Sequence, residues 1–148
     1  MYGSKTSKSK TGELGEDLAC EYLNGKGYRI LKRNYWKPWG EIDIIAKKDQ
    51  VMYFVEVKTV SRDLAFVLNK DFVSCETKKG VKHETLDSYR PEDNIHPWKL
   101  KRLSRAIQTY LIENNMSEDD KWQFDAITVF LDIKNKTAKI DHIKDIVL

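Results

Sequence analysis

The sequence predicts an α/β domain, a central sheet with helices packed on its faces. Two segments repeat apolar residues at helical spacing, and several short runs are rich in β-branched and aromatic residues. At 148 residues and 41% hydrophobic content, the chain can bury one real core. No internal repeat or linker divides it, so a single domain over 11–148 is expected behind a flexible basic tail at 1–10.

The first helix is read from Leu14, Leu18, Ala19, Tyr22 and Leu23, which share a face, and it ends at the Gly25 to Gly27 pair. Glu13, Asp17 and Glu21 recur on the opposite, solvated face; Glu16 instead borders the apolar stripe beside Ala19 and Leu23. A first strand is expected within Tyr28 to Tyr35, before a turn at Trp36-Lys37-Pro38-Trp39-Gly40. Glu41 to Ala46 and Val51 to Lys58 then read as an antiparallel hairpin around Lys47-Lys48-Asp49-Gln50. In the second helix Pro97 sits in the first turn, and Leu100, Leu103, Ile107, Tyr110 and Leu111 recur at helical spacing. Lys101, Arg102 and Arg105 fall on its solvated side, whereas Lys99 borders the apolar stripe near Ala106 and Tyr110. Phe124 to Ile133 forms a further strand, and Thr137 to Ile143 returns beside it through Asn135-Lys136.

The chemistry concentrates between Gly40 and Thr59. Period-two alternation puts Glu56 and Lys58 on one face, after Met52 and Phe54, with Val55 and Val57 on the other. With the loop at Lys48 to Val51, Asp43 sits opposite Glu56, their Cβ atoms roughly 5 Å apart. Two carboxylates that close repel, and one retains its proton unless a cation lies between them. Magnesium suits such a pair: it takes oxygen ligands and keeps several waters, leaving room for a carbonyl and a phosphate oxygen. A lysine two residues on can orient water or counter developing charge, which implies phosphodiester hydrolysis. The bland alternative is a half-buried sheet whose outer face carries Glu56 and Lys58 as solubilising residues. Against it, a face that starts apolar and ends charged needs partners for its charges. Two rivals share the acid-to-lysine spacing. Glu76-Thr77-Lys78 lies in polar surroundings, and Asp132-Ile133-Lys134 has only Asp125 upstream, on the opposite face of the same run.

These residues carry a resemblance. Gly15-Glu16, Ala19, Tyr22-Leu23, Gly27-Tyr28, Arg33-Asn34, Gly40 to Ala46, Phe54 to Thr59 and Phe124-Asp125 together look like the YraN-like family. That family is assigned to the restriction-endonuclease-like, or PD-(D/E)XK, nuclease superfamily and is similar to archaeal Holliday-junction resolvases. The resemblance implies a core ordered helix, three strands, helix, strand, with a mixed sheet and here an extra C-terminal strand. It implies a magnesium- or manganese-dependent nuclease with Asp43 and Glu56 as metal ligands, Val57 lending its carbonyl, Lys58 positioning water and Glu16 as auxiliary acid. It also makes Lys99 a candidate phosphate contact on a basic helix with Lys101, Arg102 and Arg105; an ordinary helix-start lysine is the alternative. Val60 and Gln123 stand where the family usually has arginines, which removes possible phosphate contacts. The polar connection at about 61–97 looks longer than usual.

Composition sets outer bounds. A net charge of +3 permits nucleic acid without demanding it. Cys20 and Cys75 have no paired spacing, and His83, His96 and His142 are scattered, so a zinc site, a disulfide framework and a histidine triad are not indicated. The tail, with Lys5, Lys8 and Lys10, lacks the apolar run of a signal peptide or membrane span. The expectation is a cytoplasmic protein without membrane contact, acting on nucleic acid, DNA rather than RNA, and by analogy a homodimer. Two other readings stay open: a catalytically inactive module of the same fold that binds nucleic acid or protein, and a small interaction protein with incidental hairpin charges.

Overall fold

Helix α1 (Lys10–Gly25) buries Gly15, Glu16, Ala19, Cys20 and Leu23, so its inward stripe includes Glu16 while Leu14 stays exposed. Its end is a Schellman cap: the Gly27 N–H donates to Asn24 O, the Tyr28 N–H donates to Leu23 O, and Gly27 takes φ +89°. Then follow β1 (Arg29–Lys37), β2 (Gly40–Lys48), β3 (Val51–Ser61), α2 (Pro97–Glu113), β4 (Lys121–Asp132) and β5 (Thr137–Ile143). This is the expected order, helix, three strands, helix, strand, with an additional C-terminal strand. Strand β1 runs on through Trp36 and Lys37, so the turn after it shrinks to Pro38-Trp39. The computed structural model describes residues 10–61, 97–132 and 134–148. Apart from their boundary residues, the expected tail and the connection at about 61–97 lie outside these, as do Cys75, Glu76, Lys78, His83 and His96.

One mixed five-stranded sheet holds the strands in the order β1-β2-β3-β4-β5. The β3–β4 pair at its centre is parallel and the other neighbours are antiparallel. Asp49 and Gln50 both take positive φ, 50° and 65°, the two-residue turn whose twist matches a hairpin. One face packs Val55, Ile44, Ala46, Ile127 and Val129 against Ala19, Cys20 and Leu23 of α1. The other packs Phe54, Met52, Ile42, Ile45 and Phe124 against Leu103, Ala106, Ile107 and Tyr110 of α2.

Strands β2 and β3 part company at one end. Their pairing stops at Ile44 opposite Val55, while β2 continues along β1 to Gly40 and β3 continues along β4 to Ser61. The side-chain alternation slips at the same place, because Ile42 joins the α2-side core and Ile44 the α1-side core. Asn34 and Asp43 fall between the pairs Arg33 with Ile44 and Tyr35 with Ile42, and Asn34 sits at φ 51°. Asparagine tolerates that left-handed geometry better than most residues, so it lets β1 turn with its neighbour.

Candidate metal and nucleic-acid site

The gap between β2 and β3 opens into a cleft of about 660 Å³, bounded by the N-terminal halves of both helices. Thr11, Gly12 and Glu16 line it from α1, Asp43, Glu56, Val57 and Thr59 from the strands, and Trp98, Lys99, Arg102 and Leu103 from α2. Two glycines allow this approach. A Cβ on Gly15 would lie 1.8 Å from Thr59 Oγ1, and one on Gly40 would lie 2.3 Å from the Arg102 carbonyl oxygen. Helix α2 is held by polar ties to β1 and the turn after it. The Arg102 Nε–H donates to Trp39 O at 3.2 Å, the Trp39 indole N–H to Thr109 Oγ1 at 3.0 Å, and the Tyr35 hydroxyl to Glu113 Oε2 at 2.8 Å.

Asp43 immediately precedes Ile44, where the β2–β3 pairing ends, and its exposure is 6%. The Val57 N–H donates to its Oδ2 at 2.8 Å. In a strand the N–H and C=O of one residue point to the same side, so the Val57 carbonyl also faces the edge that β2 has vacated. The Glu56 side chain is 12% exposed, and the Lys99 ammonium lies 2.5 Å from its Oε1. Burial, then the charge of Asp43, push the Glu56 carboxyl up to about 8 against the pull of Lys99. Two carboxylates this close, one of them largely buried, disfavour carrying two bare charges, and the cost falls on Glu56.

Glu16 is 4% exposed and lines the same cleft. Arg33 approaches it, with Nη2 3.9 Å from Glu16 Oε2 and 2.7 Å from Asp17 Oδ1. Among the described residues no three His, Cys, Asp or Glu side chains converge as a metal-holding group. Glu16 thus stands beside the Asp43–Glu56 pair rather than within one clasp. This donor set does not fit zinc, which wants four protein ligands or three with nitrogen and sulfur among them. It does fit a hard cation that takes two carboxylates and a carbonyl and leaves its other positions to water and phosphate.

The basic residues divide. Lys99 touches Glu56, and Arg102 lines the cleft. Lys101 and Arg105 are exposed on α2 outside the lining, and so is Lys58, at the strand end opposite Thr128. Lys99 is thus a lysine brought against the acid pair. The rival acid Asp132 is buried and accepts from the Asn135 N–H and Nδ2, so it shapes the β4–β5 turn.

A family model described as uncharacterised protein family UPF0102 matches residues 15–129. The chain belongs to the UPF0102 family. This is the YraN-like family whose motifs it resembles. A UPF0102 protein of Campylobacter jejuni is 34% identical over 122 residues, covering 82% of this chain and 85% of the relative. UPF0102 proteins of Flavobacterium psychrophilum and Caldicellulosiruptor bescii are each 34% identical, covering 90% and 92% of this chain and 90% and 95% of their own lengths. The UPF0102 match takes in Glu16, Asp43, Glu56, Val57, Lys58 and all four α2 cations, so the cleft lies inside the family region except for Thr11 and Gly12 at the start of α1.

Sequence reasoning overlooked two groups. Trp98 projects from the first turn of α2 into the cleft lining, and an exposed aromatic beside Lys99 is the signal that marks it. The other is a buried network away from the cleft. Asp125 lies 2.8 Å from His142 Nε2 and accepts from Gln123 Nε2 and from the Asp145 N–H, while the Tyr22 hydroxyl lies 3.2 Å from His142 Nδ1. Burial alone would raise the Asp125 carboxyl, but these hydrogen bonds outweigh it and hold it below the usual range. An ionised carboxylate only accepts, so the Nε2 proton of His142 donates to it. The histidine stood alone in sequence because its partner lies on another strand.

Proposed function

We propose that this UPF0102 protein is a magnesium- or manganese-dependent nuclease of the restriction-endonuclease-like superfamily that hydrolyses phosphodiester bonds in DNA, structured or branched DNA included. The observation that carries this reading is the pair of buried Asp43 and part-buried Glu56 beside Val57, opening into a cleft flanked by Lys99 and Arg102. Asp43 and Glu56, with the Val57 carbonyl, would hold the ion. When bound, the ion supplies Lewis-acid polarisation of the phosphoryl group and a more acidic water. The Val57 N–H fixes one oxygen of Asp43, so the ligand set is pre-oriented before substrate arrives. Lys99 holds its ammonium against Glu56 Oε1, at the mouth of the acid pair, from where it would turn to the phosphate that enters the cleft. Lys58, on the Glu56 face at the strand end, orients water once the nucleic acid covers it, and Glu16 acts as the auxiliary acid from α1.

The test is direct. The intact protein and Asp43→Ala are incubated with linear, flapped and four-way DNA in magnesium, manganese or chelator. Cutting that needs the metal and disappears in Asp43→Ala is the expected result; cutting that survives the substitution defeats the assignment. A binding module without catalysis is the second reading, favoured by one observation: Lys58 lies outside the cleft lining. Retained binding of branched DNA with no cutting under any metal would select it.

A further inference from the structure

We infer that Lys99 couples the ion to the substrate: Glu56 retains its ammonium while the acid pair bears its own charge, and a divalent cation seated on that pair releases it to a phosphate of the DNA. This coupling rests on the metal reading of Asp43 and Glu56 and adds a regulation of that same site. The Lys99 ammonium lies 2.5 Å from Glu56 Oε1, on a carboxylate that the metal reading assigns as a ligand. Lysine and ion therefore draw on the same negative charge.

Charge decides which of the two prevails. Ionised Asp43 and Glu56 repel each other, and one ammonium relieves that repulsion only in part. A divalent ion offsets both carboxylates, so the ammonium beside it no longer faces an anionic centre. A phosphate entering the cleft is then its stronger partner. The two side chains also differ in freedom. That of Glu56 is 12% exposed on the sheet, whereas that of Lys99 is 46% exposed on a flexible four-carbon stem. Helix α2 itself is pinned, by the Arg102 Nε–H on Trp39 O, by the Trp39 indole on Thr109 Oγ1 and by the close approach of Gly40 to the Arg102 carbonyl. Transfer of the ammonium needs side-chain rotation and no movement of the helix. Lys99 and Arg102 line the same cleft, so the released charge stays beside the acid pair. Such a coupling is reciprocal: whatever the ion adds to DNA affinity through Lys99, DNA adds to the affinity for the ion.

The experiment measures DNA binding by fluorescence anisotropy for the full chain, Lys99→Met, Glu56→Gln and the double variant, each below its melting temperature. The buffer is at pH 9 with chelator, above the value of about 8 to which Glu56 is pushed, so its carboxyl is ionised wherever it is present. Lys99→Met should change the affinity of the intact protein by less than about 2-fold, yet weaken Glu56→Gln by at least about 5-fold, because an amide does not retain the ammonium. Magnesium should act as Glu56→Gln does: on DNA with phosphorothioate linkages that resist cutting, Lys99→Met then weakens the protein with native Glu56 by at least about 5-fold. Equal losses on Lys99→Met in every background and buffer would make Lys99 a permanent phosphate contact and overturn the coupling. No loss in any of them, or no DNA binding by all four proteins, would overturn it as well. Melting temperatures separate this outcome from the fate of the metal reading. If magnesium raises the melting temperature of the intact protein but not of Asp43→Ala, while Lys99 counts no more than in chelator, the coupling fails and the metal reading stands. If magnesium changes neither melting nor DNA binding, the metal reading fails and takes the coupling with it.

Discussion

At Glu56, a folded-state pKa near 8 couples the site to the stability of the whole chain. Because that value lies above the ordinary 4.5, the folded protein binds a proton that the unfolded chain has already released. The contribution is fully present below about 4.5 and is lost as pH rises through about 8. Metal-free protein should therefore melt at progressively lower temperature between pH 5 and pH 9, on the order of the range named by those two values. Glu56→Gln should flatten the profile, and excess magnesium should do the same by replacing the proton. A flat profile of the intact protein in chelator would contradict the crowding of Asp43 and Glu56. Asp125 has the opposite sign. Its depressed carboxyl contributes stability above the unfolded-state value of 3.8 and loses it as pH falls through the folded one. Asp125→Ala leaves the buried His142 ring and the half-buried Gln123 amide without their acceptor and should cost about 3 kcal/mol by urea denaturation at neutral pH. Single residues were legible where local geometry governs them. The hairpin length brought Asp43 to the Glu56 end of the hairpin, although the pairing stops one residue short, at Ile44 opposite Val55, and the helical angle placed Glu16 and Lys99 at the borders of their stripes. The exposure of Lys58 was not legible, because period-two alternation fixes a face and says nothing of how far a neighbouring helix covers the strand end.

Between elements, the cleft depends on how closely two helices approach the sheet. Gly15 meets the Thr59 side chain and Gly40 meets the Arg102 backbone, and these contacts differ in what can yield. Gly15→Ala should cost about 1–3 kcal/mol and recover in part when combined with Thr59→Ala, since the crowding Oγ1 is then removed. Gly40→Ala should cost more and find no rescue at position 102, because no side-chain change moves a carbonyl oxygen. Chemical denaturation of the two singles and the double mutant decides it, and full rescue of Gly40→Ala by any change at Arg102 would refute the close-packing argument. Elements with one dominant period were read from sequence with little error: both helices, the Asp49-Gln50 turn and the return through Asn135-Lys136 all appear where their residues imply. What escaped is the slip at Asp43. A polar residue at positive φ inside a strand breaks the very periodicity used to read strands, so Asn34 is visible only once its neighbours are paired.

For the molecule as a whole, a net charge of +3 spreads thinly, and the DNA binding proposed for it would have to come from where cations gather rather than from their sum. Lys99, Lys101, Arg102 and Arg105 all belong to α2, so binding should weaken with salt with a slope of roughly 0.9 per phosphate contact in a double-logarithmic plot. Replacing Lys101 and Arg105 by glutamate should lower that slope by about 1 to 2 without altering metal-induced stabilisation. An unchanged slope would remove this helix from the DNA interface. The strand order was beyond reach of local pattern, because the partner of β3 on its far side, β4, is separated from it by the connection and all of α2. That separation has a consequence for how the chain comes into being. Helix α1 and the first three strands can assemble while later residues are still being synthesised, but β3 then forms an open rim carrying Phe54 and Val55 until the stretch from Lys121 emerges, an interval on the order of seconds. The newborn chain is most prone to join its neighbours during that wait, so truncation before β4 should yield insoluble material rather than a smaller folded protein.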